Sequence, residues 1–182
     1  RGQKIFVSPV KQFALDSNLP ILQPKTVNEA AFIESIKKNR PDIIVVVAFG
    51  QILNENFLKI PIQFCINLHS SLLPKYRGAA PIHRAILNGD IKSGVTTMIM
   101  DKGMDTGDIL LMQETPINET DNAQTLHDTL SEMGGTLVLE TIKRLEENTL
   151  LPVPQDHNQA TYATKLKKEE GLICWELPAA TL

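Results

Sequence analysis

Five β-branched residues in succession, Ile43-Ile44-Val45-Val46-Val47, follow Asp42 and run into Ala48 and Phe49. Branching at Cβ favours extended backbone. A strand with one wet face would alternate apolar with polar residues. This run does not alternate, so it predicts a strand buried on both faces, as in a parallel sheet covered by helices on each side. Cys65-Ile66-Asn67-Leu68 reads as a second such strand. Weaker patterns predict strands over 94–100 and 109–112.

Helical patterns fall between these runs. Ser8-Pro9 opens a helix through Leu15, because Ser caps and Pro suits a first turn. Leu19 to Leu22 reads as a short extended segment, and Asn28 as the cap of a helix over 29–38 with Ala30, Ile33 and Ile36 on one side. A short helix is expected over 81–87. A long amphipathic helix is expected over 121–147, where Leu126, Leu130, Met133, Leu137 and Leu145 keep helical spacing and Gly134-Gly135 weakens the middle. Alternating helices and strands imply an α/β layered fold. The Pro-rich stretch 149–158 reads as a linker, and the charge run 165–170 as a solvated face.

The chain has 182 residues, 42% of them hydrophobic, which suits one domain with a small appendage. No apolar run approaches the roughly 20 residues that span a bilayer. The net charge of -3 argues against this stretch carrying most of any affinity for RNA. Cys65 and Cys174 lack the paired spacing of a zinc site and are expected as buried free thiols. No Gly-x-Gly-x-x-Gly is present, which weakens a dinucleotide-binding reading. Arg1-Gly2-Gln3-Lys4 is neither a signal peptide nor a methionine start, so the sequence reads as a fragment.

Two stretches carry chemistry. The first is Asn67-Leu68-His69 at the end of the second strand. Alternation puts Asn67 and His69 on one face, at the carboxyl end where an open parallel sheet binds ligands. The second is Asp101-Lys102-Gly103-Met104-Asp105-Thr106-Gly107-Asp108, whose spacing does not fit a calcium loop. An amide, an imidazole and a carboxylate suit acyl transfer to an amine. Asn67 and a protonated His69 can donate to the developing oxyanion, and Asp105 can support the imidazolium and carry a proton. The same residues have structural readings, with His69 bonded to backbone, Asn67 closing a turn and Asp105 shaping one.

The run Asn67-Leu68-His69-Ser70-Ser71-Leu72-Leu73-Pro74-Lys75-Tyr76-Arg77-Gly78-Ala79-Ala80-Pro81-Ile82 resembles the signature of folate-dependent formyltransferases, and 101–108 resembles their second motif. Arg77-Gly78-Ala79-Ala80-Pro81-Ile82 resembles the branch that formylates methionyl-tRNA, and the likeness runs from Arg1 to Leu166. The resemblance implies a Rossmann-like open, mainly parallel twisted sheet with helices on both faces, lacking its first strand. It implies a catalytic trio of Asn67, His69 and Asp105. It places the folate, 10-formyltetrahydrofolate as co-substrate, against Phe49, Gly50, Gln51, Leu53, Ser71, Leu72, Leu73, Pro74 and Asp101. Arg1 and Lys4 fall at the end of a basic loop that reaches the tRNA.

Residues 1–148 are then the catalytic domain, and 149–182 a linker and the start of a C-terminal tRNA-binding barrel. The implied partner is charged initiator tRNA. No metal and no membrane association are expected. A monomer is expected, in the cytoplasm or, for an organellar protein, the mitochondrial matrix. Two alternatives stay open: another folate-dependent formyltransferase or hydrolase acting on an amino sugar or purine precursor, and a non-catalytic folate-binding fragment.

Overall fold

The structure, a computed structural model, describes residues 7–178. Arg1 and Lys4 lie outside the described residues. The first helix, α1 (Pro9–Asp16), starts as expected: the Ser8 side chain accepts from the Lys11 N–H and Pro9 fills the first turn. It buries no residue, and Val10 and Phe13 face solvent. Leu19 to Leu22 forms no strand. Helix α2 (Ala30–Lys37) has Glu29, not Asn28, at its N-cap position. The Asn28 side chain instead donates to the Ile52 carbonyl and accepts from the Asn54 N–H, which ties two loops together.

Strand β1 (Ile43–Val47) follows, then the four-residue helix α3 (Glu55–Leu58), which the sequence pattern was too short to reveal. Next come β2 (Phe64–His69), α4 (Pro81–Leu87), β3 (Lys92–Ile99), β4 (Ile109–Pro116) and α5 (Ala123–Glu146). The order across the sheet is β1-β2-β3-β4. β1 runs parallel to β2, whereas β2–β3 and β3–β4 are antiparallel. The α/β architecture with helices on both faces stands. Among the described residues, however, the sheet is mixed and not mainly parallel. β3 and β4 are joined by the short loop around Asp105, and a loop that short can only reverse the chain.

Each face has its own core. Val27, Ile33, Leu53, Phe57, Ile60 and Cys65 pack on one side, with Ile44 and Val46 of β1 against them. Val95, Leu126, Leu130 and Leu137 pack on the other, with Leu68 and Leu111. The second core rests on α5, which lies over β3 and β4. It leaves the other face of β1 open: Val47 is 53% exposed and Val45 37%. β1 is therefore covered on one face among the described residues, not on both.

Helix α5 opens with a capping box, in which Asn122 Oδ1 accepts from the Gln124 and Thr125 N–H groups. It runs unbroken through Gly134-Gly135. Gly134 is buried where the helix crosses Leu68, and a Cβ there would sit 2.5 Å from Leu68 Cδ2. The lost helix propensity is offset by this close approach. Gly134→Val should lower stability by about 1–3 kcal/mol through overpacking. Gly135 has no such neighbour within 4 Å, so Gly135→Ala should raise stability by up to about 1 kcal/mol. Urea unfolding of the two variants checks both signs.

The stretch 149–158, compositionally a linker, is bonded to the core, as are the residues that follow it to 163. Val153 and Ile109 exchange backbone hydrogen bonds at 2.8 Å each way. Further along, the Arg77 N–H donates to Thr161 O at 2.8 Å, and the Ala163 N–H donates to Arg77 O at 2.7 Å. The charge run is also partly engaged. Arg84 grips Thr164 O and both Glu170 carboxylate oxygens, and this bonding holds the Glu170 carboxyl down to about 2. Among the described residues no helix is long and apolar enough to cross a membrane.

Candidate active site

Asn67 and His69 occupy the carboxyl end of β2, where the parallel β1–β2 pair stops. By alternation they share the face of Cys65. Asp105 approaches from the β3–β4 loop. All three line one groove of about 730 Å³, together with Phe49, Gly50 and Gln51 after β1, Gly78 and Pro81 before and in α4, and Leu139 of α5.

His69 is 6% exposed. Its Nε2 lies 2.9 Å from the carbonyl oxygen of Tyr76. A carbonyl only accepts, so Nε2 must donate and carries hydrogen. Nδ1 is then the nitrogen that can gain or lose a proton. It lies 3.7 Å from Asp105 Oδ2, too far for a hydrogen bond but close enough for strong attraction once the ring is charged. Oδ2 also accepts from the Gly78 N–H at 2.7 Å. No partner for Oδ1 appears among the described residues, which leaves it available to a reactant.

Tyr76, at φ +61°, and Asp105, at φ +53°, hold left-handed backbone without being glycine. The first turns its carbonyl to His69, and the second turns its carboxylate to Nδ1. Such conformations cost about 1–3 kcal/mol each and persist where the surroundings impose them. The turn before Tyr76 is pinned to β3, since Thr96 Oγ1 donates to Ser71 O at 2.6 Å and accepts from the Leu73 N–H at 3.2 Å.

The residues assigned to folate by resemblance separate into groups. Phe49, Gly50 and Gln51 line the groove. Ser71 and Leu72 instead line a separate cavity of about 60 Å³ beside Lys75 and Asp90. Leu73 is 2% exposed and Leu53 is 7%, the latter packed among Val27, Ile33 and Phe57. Pro74 follows a cis peptide and accepts from the Thr161 N–H. Asp101 turns inward on its own loop, its Oδ1 accepting from the Gly103 N–H and Thr106 Oγ1. It braces the loop that presents Asp105.

Lys165 also lines the groove, a residue to which the sequence reading assigned no site role. Cys65 is buried, and burial pushes its thiol up to about 11, so it is not a nucleophile at neutral pH. Cys174 is exposed, contrary to expectation, because the segment around it packs on nothing described. No group of three or more His, Cys, Asp or Glu side chains that could hold a metal occurs among the described residues.

Known proteins resemble this chain in sequence and in fold. The methionyl-tRNA formyltransferase of Caldanaerobacter subterraneus subsp. tengcongensis is 50% identical over all of this chain, which spans 59% of that protein. That of Pelobacter propionicus is also 50% identical, over 98% of this chain and 56% of its own length. Among solved structures, an N-formyltransferase from Helicobacter canadensis, in complex with folinic acid and dTDP-3-aminofucose, superposes with a TM-score of 0.66 at 26% identity. The match covers 85% of this chain and 53% of that one. A formyltransferase from Anoxybacillus kamchatkensis, in complex with tetrahydrofolate and a formamido sugar nucleotide, gives 0.67 at 25% identity, over 85% of this chain and 79% of that one. The profile of the formyl transferase family matches residues 1–142, and the chain belongs to that family.

Proposed function

We propose that this chain carries the catalytic site of an enzyme that moves the formyl group of 10-formyltetrahydrofolate to the amino group of methionyl-initiator tRNA. The observation that carries the reading is the pairing of His69 Nδ1 with Asp105 at 3.7 Å on the wall of an open groove that Asn67 also lines. The 50% identity to methionyl-tRNA formyltransferases, against 25–26% to the solved enzymes named with sugar ligands, supports this acceptor.

The chemistry balances with these groups alone. The amine nitrogen attacks the formyl carbon and forms a C–N bond. The carbonyl oxygen becomes negative and receives hydrogen bonds from the Asn67 amide and from His69 Nδ1–H. The amine gives up a proton, which Asp105 Oδ1 is free to accept directly or through water. The bond from N10 to the formyl carbon then breaks, and that proton ends on N10. Each preorganised donor at such an oxyanion contributes about 10²–10³ in rate.

Phe49, Gly50 and Gln51 form the part of the groove wall that suits the flat ring system of the folate. Ser71, Leu72, Leu73, Leu53 and Pro74 remain proposed for the folate side of the site, with Asp101 holding the loop. Arg1 and Lys4 remain the proposed contacts to tRNA. The protein is proposed to act as a monomer in the compartment of translation, cytoplasm or mitochondrial matrix.

Acceptor profiling with 10-formyltetrahydrofolate tests the reading. Charged initiator tRNA is expected to be formylated, with kcat/KM at least about 10³-fold above free methionine or an amino-sugar nucleotide, since remote contacts supply binding energy to the reacting centre. Preference for the sugar nucleotide would overturn the acceptor, and folate binding without transfer to any acceptor would overturn the enzyme.

A further inference from the structure

Arg77 is 2% exposed, yet no carboxylate lies within ion-pair distance of it among the described residues. Burying a guanidinium costs several kcal/mol unless its hydrogens are well used. Here Nε and Nη2 both donate to Gln155 Oε1, at 3.1 and 2.6 Å, and Nη2 donates to His157 Nδ1 at 3.1 Å. Gln155 is itself 6% exposed and has both polar atoms of its side chain engaged. Its Nε2 donates to the carbonyl of Asp105 at 2.9 Å and to that of Gly107 at 2.7 Å.

The chain 77 → 155 → 105 leads from a buried cation to the carboxylate that faces His69. We propose that Gln155, held and polarised by Arg77, is a positioning residue for Asp105. It sits on a strap bonded at Val153–Ile109 on one side and at Thr161–Arg77 and Ala163–Arg77 on the other, so the amide has little freedom. By gripping the two carbonyls that flank Thr106 it fixes the left-handed turn at Asp105. That turn points Oδ2 at the Gly78 N–H and Nδ1 of His69. Hydrogen bonds to a charged donor are about twice as strong as neutral ones, and chains of them reinforce one another. The buried guanidinium thereby stiffens a loop it does not touch.

This inference rests on the formyl-transfer reading, and its test separates the two. Gln155→Glu keeps an oxygen for Arg77, which becomes an ion pair, but loses both donors to the loop. Gln155→Ala removes everything. Formyl transfer to charged tRNA is measured in wild type, Q155E, Q155A, D105N and the Q155E/D105N double variant, with circular dichroism of each at assay temperature. Q155E should lower kcat about 30-fold, since a misplacement near 1 Å can cost about 10²-fold, with KM for the folate within about threefold. On the D105N background the same change should lower kcat less than about threefold, because residues acting as one unit are not additive.

Wild-type activity with Q155E inside about threefold of it, or a full multiplicative loss on D105N, overturns the positioning role alone. Unfolding of both Q155E and Q155A assigns Gln155 to stability and also overturns it. A wild-type protein inactive with every acceptor overturns the formyl-transfer reading, and this inference with it.

Discussion

His69→Ala is expected to lower kcat for formyl transfer by about 10³-fold, while the affinity for 10-formyltetrahydrofolate changes by less than about fivefold. Two roles are lost together: donation by Nδ1–H to the developing oxyanion, and the mobile proton beside Asp105. The folate should be little affected because the groove residues suited to it, Phe49, Gly50 and Gln51, lie after β1. The variant also leaves the Tyr76 carbonyl without its 2.9 Å donor, which costs about 1–3 kcal/mol of stability. Fold is therefore checked by urea unfolding beside single-turnover kinetics and folate titration. Parallel loss of turnover and folate affinity would make His69 a binding residue and remove it from the chemistry.

Asp105→Asn should lower kcat by about 10²–10³-fold with the fold kept. The substitution is close to isosteric. Asn Oδ1 can still accept from the Gly78 N–H, and asparagine tolerates the +53° φ at this position. What disappears is charge. A carboxylate 3.7 Å from Nδ1 attracts an imidazolium by up to about 4 kcal/mol at an effective dielectric near 20. The available Oδ1 acceptor for the amine proton disappears too. Circular dichroism and a urea midpoint separate the outcomes: an unfolded variant makes Asp105 a turn residue, whereas a folded, active one removes the carboxylate from the mechanism.

The strands were legible because β-branched runs leave few alternatives, and Asn67 and His69 were legible because polar residues at the end of such a run need a reason. What stayed hidden depended on contacts distant in sequence. Asn28 has the chemistry of a cap, but Ile52 and Asn54 outcompete the helix for it. The open face of β1 depends on how far α5 reaches across the sheet, which periodicity does not encode. Asp105 was singled out over Asp101 by its place in the motif, but the left-handed turn that carries its carboxylate toward His69 was not legible. Which nitrogen of His69 is committed depends on the left-handed backbone at Tyr76. Gln155 lies in a Pro-rich stretch whose composition signals a linker, and its importance lies in two carbonyls some 50 residues earlier.

The strap over residues 153–163 also bears on the timing of assembly. A nascent chain emerges from the ribosome in order, so Asn67, His69 and Asp105 are all available long before the strap exists. Until Thr161 and Ala163 dock beside Arg77, the guanidinium has no amide to hold, and the loop around Asp105 is free to wander. Made after every residue it would organise, the strap then acts as a latch on the loop that carries Asp105.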